Sequence, residues 1–128
     1  MTTPNVCDFS LTTLNCPCVI SAPGSYKLLQ DAACNGCGGD TNNAAIKIDS
    51  DGVELDLNGK TLKGGCDIGI RTSNNKSNGK VFGGTIEGFT SDSVLGFNVQ
   101  NFEVDSILFA GGGGGVEFGN SGNIQVIN

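Results

Sequence analysis

The side chains with the most chemical potential in this chain are its six cysteines, Cys7, Cys16, Cys18, Cys34, Cys37 and Cys66, all within the first 66 of 128 residues. An even number of cysteines crowded into a short stretch builds either a disulfide framework or a thiolate metal site. Cys16-Pro-Cys18 and Cys34-Asn-Gly-Cys37 offer four thiolates at a zinc-like separation, although the Cys-x-Cys half is tighter than the usual two-residue gap. Disulfides are the leading expectation, free thiols and structural zinc are the alternatives, and no metal or other cofactor is assigned.

Carboxylates come next. Glu54 and Asp56 stand two apart in an alternating apolar and polar run, which puts them on one side of a strand at roughly 6.5 to 7 Å. Glycoside hydrolases use such a spacing for acid and base. A competing reading places Asp56, Lys80 and Glu103 in one column of alternating charge, a surface ladder that favours one stacking register. Glu54, Asp56, Lys80 and Glu103 are therefore expected to form a charged outer face, a candidate ligand surface without a catalytic pair.

Other motifs fall short. Asp49-Ser-Asp-Gly52 begins like a calcium loop, but Val53 takes the fifth position and no Glu follows at the twelfth, so it reads as a turn. Gly59-Lys60-Thr61 has Glu54 where a phosphate-binding loop needs Gly. Gly111 to Gly115 lacks a lysine and reads as a side-chain-free corner where another backbone approaches closely. The chain has no His and a single Arg, Arg71, so no catalytic residue is assigned and an enzyme is not expected.

The net charge of −6, from 13 acidic and 7 basic residues, repels a phosphate backbone, and nucleic acid is not an expected partner. Residues 1–56 sum to −5, 57–80 to +4 and 81–128 to −5, a pattern that could bring copies together. No segment has the 18 apolar residues of a membrane span. The start, Met1 to Cys7, carries no basic and apolar leader, so synthesis in the cytosol or removal of a signal is expected.

The elements that would hold these residues follow from an internal repeat. Taking Leu57, Val81, Val104 and Val126 as equivalent gives spacings of 24, 23 and 22 residues. One position before each anchor is polar, two before is mostly apolar, and three before stand Glu54, Asn78, Asn101 and Asn123. This is period-two alternation, preceded by a residue type that tolerates left-handed backbone. A second series, Ile46 and Ile48, Ile68 and Ile70, Leu95 and Phe97, Val116 and Phe118, interleaves with the first. Two short strands per unit, joined by turns too brief for a helix, bury their apolar faces only by stacking coil on coil. Phe82, Phe97, Phe102, Phe109 and Phe118 are expected inside. The expected architecture is all-β: a short right-handed parallel β-helix of about four coils over residues 44–128, with a Cys-rich cap over residues 1–43, together one domain.

The run Ala45 to Gly64, preceded by Val19 to Leu28 and centred on Val53-Glu-Leu-Asp-Leu-Asn-Gly-Lys-Thr-Leu62, resembles the opening coils of pectate-lyase-like right-handed β-helix proteins. The resemblance spans roughly residues 16–128 and implies the fold. It implies activity only where the family's site residues are present. The Gly-His-Gly and Arg-Ile-Lys motifs of polygalacturonase-like members are absent, and Arg71 is the one residue that could stand for a lyase's base. Four coils rise roughly 15 to 20 Å, short for a polymer groove.

The last residues, Ile124 to Asn128, lie inside a repeat strand, and an open sheet edge templates pairing with another chain. The expectation is a structural, self-assembling protein of a virion, filament or surface, whose partner is itself as homo-oligomer or filament. The alternative is a carbohydrate-binding or polysaccharide-active module.

Overall fold

Runs of β-branched and large apolar residues, broken every few positions by Gly, Asn, Asp or Ser, become strands. The structure, a computed structural model, describes residues 5–37 and 41–127. Among these are twelve strands: β1 (Cys18–Ile20), β2 (Gly24–Lys27), β3 (Ala32–Asn35), β4 (Ala44–Ile48), β5 (Val53–Asp56), β6 (Thr61–Gly65), β7 (Ile68–Thr72), β8 (Ser77–Glu87), β9 (Asp92–Phe97), β10 (Gln100–Ala110), β11 (Val116–Gly119) and β12 (Gly122–Ile127). They wind into a parallel β-solenoid of about four turns, with no α-helix among the described residues. One sheet runs β1-β4-β7-β9-β11 and the other β12-β10-β8-β5-β2, with β3 beside β6 and β6 beside β8.

The coils begin earlier than the repeat predicted. Cys18 lies opposite Ile46, Ser25 opposite Glu54 and Ala32 opposite Leu62, so residues 18–35, expected in the cap, make the first coil. Its interior is built from small side chains, with Cys18 and Cys34 fully buried and Ala32 nearly so, which is why it lacks the aliphatic signature of later coils. What covers it is the segment before β1: Val6 bridges Val19, and Cys7 N–H donates to the Val19 carbonyl. Within the predicted Cys34-to-Asp40 turn, residues 38–40 lie outside the described residues.

The predicted anchor column is right for three coils and two residues off in one. Val81, Val104 and Val126 are in register, but their partner in the preceding coil is Leu55, not Leu57. Between β5 and β6 the chain spends four residues, Leu57 to Lys60, where β8 uses Gly83 and Gly84. The extra pair is the Asn58-Gly59 turn, closed by Lys60 N–H donating to the Leu57 carbonyl, and both residues have positive φ. Leu57 is fully buried all the same, packed where Gly84 leaves room. In the second series, Ile46 faces Ile70, Val94 and Val116, whereas Leu95 belongs to the neighbouring column with Arg71 and Glu117.

The core stacks in ladders, such as Tyr26, Leu55, Val81, Val104 and Val126. Large rings fit because the facing coil presents no side chain. A Cβ on Gly79 would lie 2.5 Å from the Phe102 ring, and a Cβ on Gly64 would strike Phe89. Of the five predicted interior rings, Phe102 is buried and Phe109 and Phe118 pack on the core from its edge. Phe82 and Phe97 instead lie half-exposed beneath Lys80 and Arg71, because the residues before them, Val81 and Gly96, take the inward side. Phe89, fully buried at a corner, completes the interior. The Gly111–Gly115 corner does meet backbone, Gly113 N–H donating to the Phe89 carbonyl at 2.9 Å and leaving no space for a Cβ against Thr90.

Candidate functional site

All six cysteines are paired: Cys7 with Cys18, Cys16 with Cys34 and Cys37 with Cys66, at Cα separations of 4.8, 5.4 and 5.4 Å. Pairing consumes the thiolates of the zinc alternative. The first two bonds tie the N-terminal segment and its turn into the first coil, and the third ties the end of that coil to the end of the second.

The Asn column forms as a hydrogen-bonded ladder. Asn101 Nδ2 donates to Asn78 Oδ1 at 3.1 Å and Asn123 Nδ2 donates to Asn101 Oδ1. All three have positive φ (61°, 56° and 54°), and in the second coil the equivalent position is Gly52 (67°), not Glu54. The demand for left-handed backbone selects Asn or Gly, and stacking then aligns the amides. A second ladder, Asn120 donating to Asn98 at 2.6 Å, turns the opposite corner.

The charged face also forms, with corrected membership. Ser25, Glu54, Lys80, Glu103 and Gln125 make one outer column, and Lys27, Asp56, Phe82, Asp105 and Ile127 make the next. Asp56 therefore does not share a column with Lys80 and Glu103, a direct result of the two-residue turn. Lys80 pairs with Glu103 at 3.2 Å and Asp105 at 3.9 Å, and its ammonium lies 4.8 Å from the centre of the Phe82 ring. The hydrogen bond that Lys80 donates to Glu103 raises the Lys80 pKa above its ordinary value, partly opposed by desolvation and reinforced by the charges of Glu103, Asp105 and Glu54. Glu54 accepts from Ser25 Oγ at 3.3 Å, and Asp56 accepts from Asn58 N–H at 2.7 Å, capping the inserted turn. With each carboxylate holding a structural partner, the face is an interleaved charge ladder.

Beside that ladder a cleft of about 220 Å³ is lined by Ser25, Tyr26, Lys27, Glu54, Asp56 and Phe82. Sequence reasoning named Glu54 and Asp56 but placed Phe82 inside. The signal was present, since Phe82 and Asp105 each follow an anchor valine, yet it reads correctly only in the true register. Elsewhere, Glu117 and the buried Asp92 meet across β9 and β11. The hydrogen bond with Asp92 raises the Glu117 pKa, aided by Asp92's charge and by desolvation.

Fold and site define a disulfide-capped parallel β-solenoid with ladders of asparagine and of alternating charge. Compared with known proteins, the chain matches no protein-family model, no curated protein and no solved structure.

Proposed function

We propose that the protein is a structural β-solenoid that associates with a second copy of itself through the face of its last coil. The carrying observation is the β11–β12 face. Among the described residues each of these strands is paired on one side only, and Val126 and Ile127 are 53% and 43% exposed, although Val126 continues the column of the buried Leu55, Val81 and Val104. An unpaired parallel edge with apolar side chains is a template for another strand. The opposite end is less receptive, because Asn5 to Cys7 already cover the β1 edge. That asymmetry favours last coil against last coil, a closed dimer, over a filament. Three disulfides suit an oxidising setting, a surface or virion. The phrase Val53 to Leu62, which makes β5, the inserted turn and the start of β6, supports membership of the pectate-lyase-like β-helices in a non-catalytic form.

Light scattering tests this reading: the wild-type chain is expected at twice its 13.0 kDa, and Val126→Asp with Ile127→Asp is expected to be monomeric. A wild-type monomer at high concentration overturns it. The cleft beside Phe82 favours one second reading, a saccharide stacked on the ring with hydroxyls on Glu54 and Asp56. Saturable binding lost in Phe82→Ala would favour it.

A further inference from the structure

The other sheet carries a column in which charge is not interleaved. Its outward residues are Val19, Lys47, Arg71, Leu95 and Glu117. Lys47 and Arg71 thus stand opposite each other on adjacent strands, about 4.8 Å apart by backbone spacing. Like charges in that position repel. The same fold separates charges where it has a ladder, placing Lys80 between Glu54 and Glu103. Here the only acid in the column is Glu117, two coils beyond Arg71 with Leu95 between. Among the described residues, neither cation has an ion-pair or hydrogen-bond partner for its side chain.

The surroundings converge on the pair. Arg71 Cζ lies 5.7 Å from the centre of the Phe97 ring, a cation–π contact that restrains the side chain. Ser73 Oγ is enclosed and has no hydrogen-bond partner. Asn42 and Asn74 join Lys47, Arg71 and Ser73 around a cleft of about 190 Å³, smaller than the roughly 300 Å³ at which sites for drug-sized ligands begin. Two unpaired cations and two amides are a donor set for one small group rich in acceptors.

We propose that this cleft binds a small oxyanion, such as a carboxylate or sulfate group. The Arg71 fork takes two oxygens and Lys47 neutralises the charge. A nucleic acid is a poor candidate, because the chain's charge of −6 opposes a phosphate polymer. The site is on the opposite sheet from the Phe82 cleft and does not depend on self-association.

The test is an NMR titration of the full chain at constant ionic strength with inorganic sulfate, a uronic-acid trisaccharide and a sulfated disaccharide. Saturable shifts are expected at residues 42, 47, 71, 73 and 74, weakened about tenfold or more in Lys47→Gln and in Arg71→Gln. Arg71→Lys keeps the charge without the fork and is expected to fall between, while Lys63→Gln is expected to bind as wild type. The probe that binds most tightly identifies the anion's source, free or saccharide-borne. Absence of saturable shifts with all three probes overturns the proposal, as does binding unaltered in both Lys47→Gln and Arg71→Gln or equally weakened in Lys63→Gln.

Discussion

Glu117 and Asp92 show how a single side chain sets conditions for the last coil. Because its pKa is raised in the folded state, Glu117 contributes stability that is fully present below the ordinary carboxyl value and lost as pH rises through the folded value. Glu117→Gln mimics the protonated form. It is expected to raise stability toward denaturant in neutral buffer and to give no gain in acid; a gain of equal size in both buffers would refute the pair's role. Asp8 titrates with the opposite sign, its pKa lowered by hydrogen bonds from the Ser10 hydroxyl and backbone N–H, so its contribution is lost as pH falls through the lowered value. At this scale the Asn column was legible because left-handed backbone restricts the residue type. The Asp92–Glu117 contact was not, since nothing in the 24 intervening residues reports that coil stacking brings them together.

Strands here succeed as pairs of neighbours with complementary volume. Gly79 opposite Phe102 is the clearest case: Gly79→Val is expected to cost about 1 to 3 kcal/mol through overpacking. Combining it with Phe102→Val is expected to be less destabilising than the sum of the two single changes, measured as a double-mutant cycle. Additive losses would show that the two residues do not share the space. Strand existence was readable from alternation, and most ladder positions followed from a spacing of 22 to 24 residues. The Leu57 error arose because a constant repeat length hides a turn insertion, and Leu57 and Leu55 are both apolar, so sequence alone could not choose between them. Asn58-Gly59 carried the clue, a left-handed pair with no counterpart at Gly83-Gly84 of equal length.

In the whole molecule, each coil contacts only its neighbours, so stability is built up along the axis. Cys37–Cys66, closing 29 residues between the first and second coils, is expected to contribute about 3 to 4 kcal/mol by restricting the unfolded chain. Replacing both cysteines by Ser should shift the denaturation midpoint accordingly, and an unchanged midpoint would mean that the bond is incidental. Composition, alternation and repeat spacing determined by themselves that this is an all-β stack of coils, because burying two short strands per unit leaves few other solutions. Only the tertiary structure decided which cysteines pair, where the first coil begins and which charges share a column. Those depend on distances between residues 11 to 32 positions apart, and a two-residue turn moves an entire column without altering the pattern that announces it.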